Sequence, residues 1–309
     1  MRVSVCVATH NRADRLARLL RSLADQGIPD LEVVVHDDAS TDRTPEVLAG
    51  FPDVTVIRSE VNVGPATGRN RAWRASHGDL VLFTDDDCVT TPGWVAAHVA
   101  THAAAADTIT VGQTQPDPEQ LHLTGPFSRT MQVESAVAFA TCNVGYPRAV
   151  LDRHGGFDES FRRAAGEDTD LGLRALATGT RATYLPEALV HHDIDPRSFV
   201  QAVRGSAKWI DMPLLAAKHA EAPGVLYSRH WWRQTHPVAV LAGAAVVGAA
   251  VTPYALVGVV PWVRLRTTYA PVRARRRHWP WALPATLVVD LAEVAVLARG
   301  SLRHRRLLL

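Results

Sequence analysis

The sequence predicts an α/β protein, a mostly parallel central sheet flanked by helices, followed by a helical C-terminal region of different character. Three observations carry that expectation. Short β-branched runs alternate with helical patterns through the first 110 residues. Clusters of aspartate follow directly on apolar strand runs, where the ligands of open α/β sheets collect. From residue 237 the chain runs for 27 residues without a charge, with arginines beyond.

Taken in order, residues 2–8 read as a strand, and Leu16, Leu19, Leu20 and Leu23 mark one face of a helix ending near Gly27. Residues 31–36 form the second strand, and Ser40 to Pro45 opens a short helix with a capping residue and an early proline. Residues 54–57 are the third strand, 65–76 a helix, 80–83 the fourth strand and 94–105 another helix. The stretch 113–130, with three prolines, is expected to cross to a second half. There the pattern predicts a strand at 137–144, a turn at Gly155-Gly156, a helix from Glu167 to about Ala177 and strands at 180–185 and 189–192. Residues 198–210 read as a helix. The expected organisation is 1–112, 113–195 and 196–309.

With 309 residues, 47% hydrophobic and 21% charged, disorder and collagen-like repeats are excluded. Three separated cysteines, Cys6, Cys88 and Cys142, offer neither a disulfide framework nor a zinc cluster and suit a reducing compartment. The N-terminus begins directly on a strand pattern without a secretory signal, so secretion is not expected. The net charge of +2 is unevenly spread: from residue 223 onward twelve arginines face only Asp290 and Glu293, a net +10, which leaves −8 for the first 222 residues.

The chemistry concentrates in Asp85-Asp86-Asp87 after the fourth strand. Residues two apart on an extended chain point the same way, so Asp85 and Asp87 can converge on one hard cation while Asp86 faces elsewhere. Magnesium or manganese would leave open positions for phosphate oxygens. A solvated acidic turn is the competing account. On the same rim, Asp37 or Asp38 can accept hydrogen bonds from a base or a ribose, against an Asx-turn alternative that accounts for Ser40 and Asp42. Thr9, His10, Asn11 and Arg12 end the first strand; helix capping by Thr9 or Asn11 competes equally with a ligand role. Asn62 to Asn70 is a glycine-containing turn entering a helix, with Arg69 available to a phosphate, although its spacing is that of neither a P-loop nor a dinucleotide fingerprint.

These four motifs, in this order, resemble the donor-binding half of the family 2 glycosyltransferases of the GT-A fold, and the resemblance continues to about residue 195. It implies a nucleotide-diphosphate sugar as donor, a divalent metal (Mn2+ or Mg2+) on Asp85 and Asp87, Asp86 beside the donor, and Asp37 or Asp38 near the nucleotide base. In Gly166-Glu167-Asp168 the match assigns the general base to Asp168, with Glu167 orienting the acceptor; acidic residues also favour any first helical turn. Gly156, in Gly-Gly-Phe-Asp, and Asn143, in Cys-Asn-Val-Gly, fall toward the acceptor side. Of His191 and His192 after the last strand, His192 is favoured as a metal or phosphate contact and His191 is placed near the acceptor. Processive polysaccharide synthases of the family carry Gln-x-x-Arg-Trp; here Gln201-Ala-Val-Arg204-Gly205 lacks the tryptophan, which weakens a processive reading.

The segment 237–263 is long enough to span a hydrocarbon core of about 30 Å once. A single crossing would put the Arg-rich loop (Arg264, Arg266, Arg273, Arg275, Arg276 and Arg277) on the far side, against the positive-inside tendency. Pro253 can break it into re-entrant or interfacial helices. In the second apolar segment, 279–298, Thr286, Asp290 and Glu293 share a face that suits the interface or packing on protein. Two full crossings and two buried helices are the alternatives.

The expectation is therefore a metal-dependent, inverting glycosyltransferase at the cytoplasmic face of the cell membrane. It would act on a glycan or lipid-linked acceptor, with a membrane surface and no nucleic acid among its partners. The rivals are a polyprenyl-phosphate glycosyltransferase and a catalytically silent membrane adaptor that retains the fold.

Overall fold

The apolar, β-branched run Val3–Thr9 forms β1 and is buried almost throughout, as a central strand covered on both faces must be. This is a computed structural model, and it describes residues 1–136, 139–219, 226–228, 230–268 and 279–309. The chain divides into two units, Met1–Glu119 with Thr130–Asp193, and Gln120–Arg129 with Ile194–Leu309.

In the first unit, β1 leads through α1 (Ala13–Ala24) to β2 (Glu32–Asp37), through α2 (Thr44–Ala49) to β3 (Val54–Arg58), and through α3 (Pro65–Ala75) to β4 (Leu80–Phe83). These four strands are parallel, in the order β3-β2-β1-β4. The predicted stripe Leu16, Leu19, Leu20 and Leu23 is the buried face of α1. Gly64, at φ +88°, turns the chain into α3 just before Pro65.

The second half departs from a parallel sheet. The order continues β4-β7-β6-β8-β5, where β5 is Cys88–Thr90, β6 Thr108–Pro116, β7 Val144–Pro147 and β8 Arg181–His192. β7 runs antiparallel to both β4 and β6, and β5 antiparallel to β8, so the sheet is mixed rather than mostly parallel. Helices α4 (Trp94–Ala104), α5 (Arg148–His154) and α6 (Glu167–Ala177) complete the unit.

The strand expected at 137–144 is displaced. Residues 137–138 lie outside the described residues, and 139–143 form a buried irregular segment ahead of β7. Phe139, at φ +47°, lays its ring where a side chain on Gly172 would stand, with the glycine's would-be Cβ 2.2 Å from the ring. Burial of that ring overrides strand propensity. Two strands went unread: β5, only three residues long, and β6, which takes up the first residues of the expected crossing. The strands expected at 180–185 and 189–192 are one strand, β8, with a register shift opposite Gly112 and Gln113 that absorbs residues 186–188.

The second unit is helical. α7 (Phe199–Gly205) gives way to a 3₁₀ turn (Ser206–Asp211) and α8 (Met212–Lys218), so the helix expected over 198–210 is α-helical only in its first half. Gln201 closes a capping box with Ser198, accepting from the Ser198 N–H at 2.8 Å. Its glutamine thus has a local role. α9 (Thr235–Gly248), a 3₁₀ turn (Pro253–Val259) and α10 (Val260–Thr268) divide the uncharged segment at Pro253. The last helix is α11 (Trp279–His304).

Asp290 is buried, paired with Arg266 and accepting from Trp262 Nε1 at 2.8 Å. Glu293 accepts from Trp209, Arg233 and His236. The acidic face of α11 therefore packs on protein. Among the described residues, no helix is long and apolar enough to cross a membrane. Of the predicted Arg-rich loop, Arg264 and Arg266 lie on α10, while Arg273, Arg275, Arg276 and Arg277 fall outside the described residues.

Candidate active site

The parallel strands deliver Thr9, Asp37 and the Asp85-Asp86-Asp87 run to one carboxyl rim. The antiparallel pairing of β5 with β8 sets Cys88 opposite His192. It also joins the Asp193 N–H to the Asp87 carbonyl at 2.8 Å. Two segments more than a hundred residues apart in sequence thereby bring the Asp87 and His192 side chains together, Oδ1 to Nε2 at 3.4 Å.

His192 Nδ1 lies 2.8 Å from the Asp193 carbonyl oxygen, which can only accept, so Nδ1 carries the proton. His192 Nε2 is thereby the ring nitrogen that faces the Asp87 carboxylate. A carboxylate oxygen and an imidazole nitrogen this close can share a proton or a cation. Burial alone would raise the Asp87 carboxyl, but His192, Arg12 and Arg15 outweigh it and hold the group below the usual range. The Cys88 thiol completes a trio with Asp87 and His192. Burial first, then Cys142 and Asp87, push it well above the ordinary thiol value, so it stays neutral and ligates poorly. The donor set offered to Mn2+ or Mg2+ is therefore one carboxylate and one imidazole.

Asp85 does not join them. Arg69 Nη2 holds its carboxylate at 2.7 Å, while Arg69 Nη1 holds Glu167 at 2.8 Å. Arg69 is buried with both terminal nitrogens committed to carboxylates, which corrects its expected role as a phosphate contact. Glu167 is buried too, so it positions Arg69 rather than an acceptor. Burial, then Asp168, raise its carboxyl to about 7, with Arg69 opposing, and its Oε2 has no partner among the described residues. Asp168, half-buried at the start of α6, accepts from the Thr169 N–H at Oδ1. Burial raises its pKa; Thr169 and Arg69 oppose that, and Asp85 adds to it.

Asp86 is turned into the protein, accepting from Thr9 Oγ1 at 2.8 Å and Arg12 at 3.2 Å. Burial raises it to about 7, partly offset by Arg12. It braces β1 against the acidic loop instead of meeting a donor. Neither Thr9 nor Asn11 caps α1. Asn11, at φ +53°, accepts from the Thr41 and Asp42 N–H groups and so fixes the loop after β2.

The pair expected to meet a base is also engaged. Asp37 is bonded by Arg58 at 2.6 Å and by the Ser40 N–H, and Asp38 accepts the Val63 and Gly64 N–H groups. Asp38 thus shapes the turn into α3. Asn143 is corrected to a structural role: it is buried, accepts from Trp94 Nε1 at 2.8 Å and donates to the carbonyls of Gln113 and Ala188. Gly156, at φ +78°, has no room for a side chain beside Asn70 and Trp73, so it too is structural. His191 alternates with His192 along β8 and points to the other face.

Arg15, Arg18, Asp117 and Asp193 were not read from the sequence. Arg12, Arg15 and Arg18 recur every third residue along one face of α1. Arg15 reaches Asp87 at 3.7 Å and Asp193 at 3.3 Å, and Arg18 reaches Asp193 at 2.5 Å and Asp117 at 2.6 Å. That i, i+3 spacing was the available signal.

Residues 4–164 match the profile described as glycosyl transferase family 2, more than half of the chain. The chain belongs to glycosyl transferase family 2. A second profile, glycosyl transferase family group 2, matches residues 121–292. Among relatives, validoxylamine A glucosyltransferase of Streptomyces hygroscopicus subsp. jinggangensis is 31% identical over 227 residues, 60% of this chain and 54% of that protein. Succinoglycan biosynthesis protein ExoO of Rhizobium meliloti is 31% identical over 223 residues, 65% of this chain and 63% of ExoO. The chain thus spans about half to two thirds of the length of these curated relatives.

The mannosyltransferase PcManGT of Pyrobaculum calidifontis, solved with GDP-Man and Mn2+, superposes with a TM-score of 0.59 at 21% identity, covering 98% of this chain and 87% of that one. S. aureus TarS 1-349 gives 0.56 at 19%, covering 99% and 92%. These likenesses show the GT-A-like α/β fold of this family 2 member, with its mixed sheet.

Proposed function

We propose that this chain transfers a sugar from a nucleotide-diphosphate sugar to a hydroxyl acceptor, with inversion and with a divalent ion at Asp87 and His192. The observation that carries the reading is the approach of Asp87 Oδ1 to His192 Nε2 at 3.4 Å, beside the Asp85–Arg69–Glu167 bridge that leads to Asp168. A divalent ion held there would neutralise charge developing on a departing diphosphate. Arg12 and Arg15, already beside Asp87, add fixed positive charge on the same side. Asp168 accepts only at Oδ1 among the described residues, so Oδ2 can take the acceptor's proton. The acceptor oxygen bonds to the anomeric carbon as the bond to the diphosphate breaks, and attack opposite the leaving group inverts that carbon. Arg69 keeps Glu167 and Asp85 in register around Asp168.

An envelope glycan or lipid-linked acceptor is supported by two relatives. One is ExoO, a succinoglycan biosynthesis protein. The other is an Escherichia coli enzyme, 26% identical over 185 residues, named UDP-Glc:alpha-D-GlcNAc-diphosphoundecaprenol beta-1,3-glucosyltransferase WfaP. The test is thermal stability with a panel of nucleotide sugars. A fitting donor with Mn2+ at a hundredfold excess over Kd stabilises by about 2.7 kcal/mol, roughly 5 °C in Tm. No rise with any nucleotide sugar in the presence of Mn2+ would sink the reading.

The same proposal places the chain at the cytoplasmic face of the cell membrane. Support comes from a run of exposed aliphatic and aromatic side chains around the break between α9 and α10: Val247, Val251 (90% exposed), Tyr254, Val257 and Val260. Exposed Arg264 follows them, the pairing that anionic headgroups attract. Removing apolar contact at two positions costs a few kcal/mol of partitioning. The double variant Val251→Asp/Val257→Asp is therefore expected to bind anionic vesicles at least about tenfold more weakly. Unchanged sedimentation with vesicles overturns this placement.

A further inference from the structure

One residue next to the candidate metal pair holds both of its members by backbone alone. The Asp193 N–H donates to the Asp87 carbonyl at 2.8 Å, and the Asp193 carbonyl accepts from His192 Nδ1 at 2.8 Å. Asp117, the residue after β6, adds a third hold, its N–H donating to the His192 carbonyl at 2.9 Å. Where the His192 ring starts and which nitrogen it turns to Asp87 are thus set by the backbones of two aspartates.

The side chains of these aspartates are buried, and one cation joins them. Arg18, on α1, gives Nη2 to Asp117 Oδ2 at 2.6 Å and Nη1 to Asp193 Oδ1 at 2.5 Å. Arg15, one turn earlier, reaches Asp193 at 3.3 Å and Asp87 at 3.7 Å. A planar guanidinium fixes the separation of two oxygens that it binds through different nitrogens, so Arg18 restrains the end of β6 against the end of β8. Take the fork away and two buried carboxylates face each other without it, which favours moving apart or taking up a proton. Movement of either would carry the backbone groups that hold His192. A bridge of this kind adds little stability over apolar packing, so its value lies in the geometry it imposes.

We propose that Arg18 is a positioning residue for the metal pair: by bridging Asp117 and Asp193 it holds the His192 ring with Nδ1 on the Asp193 carbonyl and Nε2 toward Asp87. A histidine that receives a metal at one nitrogen is oriented by the hydrogen bond at the other, and here that bond ends on a residue whose side chain α1 clamps. The inference rests on the reading of Asp87 and His192 as the metal pair, but the orientation of the ring is measurable without any metal.

The first readout is the His192 Nδ1–H signal in metal-free protein with 15N-labelled histidine, assigned by its loss in His192→Gln. In the wild type it is expected to be protected from exchange with water, because the ring is buried and Nδ1 is bonded. In Arg18→Met it broadens or disappears while the ring signals of buried His98, on α4, stay in place. The second readout is binding of Mn2+ alone, with the free ion followed by electron paramagnetic resonance. Arg18→Met is expected to weaken that binding about tenfold to a hundredfold. Arg18→Lys, which keeps the charge and loses the fork, recovers only part of either effect. If Arg18→Met does not fold, Arg18→Met/Asp117→Asn, which also removes one of the buried charges, replaces it. A wild type that binds no Mn2+ would refute the metal reading and leave the His192 signal to decide on Arg18. An unchanged His192 signal in Arg18→Met, or unchanged Mn2+ affinity where the wild type binds the ion, overturns the proposal, as does loss of the His98 signals together with that of His192.

Discussion

Asp168→Asn is expected to lower kcat by about 10²- to 10⁴-fold, the range a positioned general base supplies, without loss of folding. The substitution preserves shape and the Oδ1 acceptor for the Thr169 N–H at 2.7 Å, so the first turn of α6 keeps its geometry. What it removes is a lone pair basic enough to take the acceptor's proton. The pH profile provides a second readout. A base works only when deprotonated, so activity falls as pH drops through its pKa. Burial sets Asp168 above the ordinary carboxylate value, Thr169 and Arg69 pull it down, and Asp85 adds to the rise. The acid limb of kcat/KM therefore lies above the usual carboxylate range in the wild type and is absent from the variant's residual activity. Near-normal turnover in Asp168→Asn would mean that the acceptor needs no base, as a phosphate acceptor would not.

Arg69→Met should be the most destabilising single change in the site. The guanidinium is buried and joins Glu167 to Asp85, so its removal leaves a buried carboxylate without a cation, at a cost of about 3–5 kcal/mol. The loss depends on pH. Glu167 already has its folded pKa raised to about 7, above the ordinary value of 4.5, and without Arg69 it rises further. A carboxyl raised on folding favours the protonated native state. The variant is thus most stable at low pH and loses stability as pH rises through that pKa. Urea denaturation at pH 5 and pH 8 measures the difference, and Arg69→Met/Glu167→Gln should recover much of the loss at pH 8. A variant as stable as the wild type at pH 8 would contradict the buried bridge.

How much of this was legible in the sequence follows from how local each signal is. The Asp85-Asp86-Asp87 run and Glu167-Asp168 stand out because consecutive carboxylates at the ends of elements have few local explanations. Their division of labour was hidden. Asp86 and Glu167 are buried by strands and a helix that arrive from elsewhere in the chain, and Arg69 meets Glu167 across 98 residues of sequence. Spacing shows that Arg69 sits near a helix start; it does not show what lies above it. Asn143 misled for the same reason. A polar residue beside glycines reads as a ligand contact, whereas the contacts of Trp94, Gln113 and Ala188 that occupy it come from three separate elements. His192 was favoured from the resemblance alone; the pairing that sets Cys88 opposite it, and so brings it to Asp87, runs through the short β5 that the sequence did not reveal. The acidic face of α11 was visible as a helical stripe, but only the arrival of Trp262, Arg266 and Arg233 decides that it packs on protein.

The measurement that bears most directly on the site is the Tm change with a fitting nucleotide sugar, with and without Mn2+, in the wild type and in Asp87→Asn. Each protein is compared with itself, so any shift in the variant's own stability cancels. If Asp87 and His192 receive a divalent ion together with the donor's diphosphate, the wild type rises by roughly 5 °C with both present, falls back in EDTA, and the variant shows neither response. An equal rise in Asp87→Asn, or one in the wild type that EDTA leaves untouched, would contradict the account.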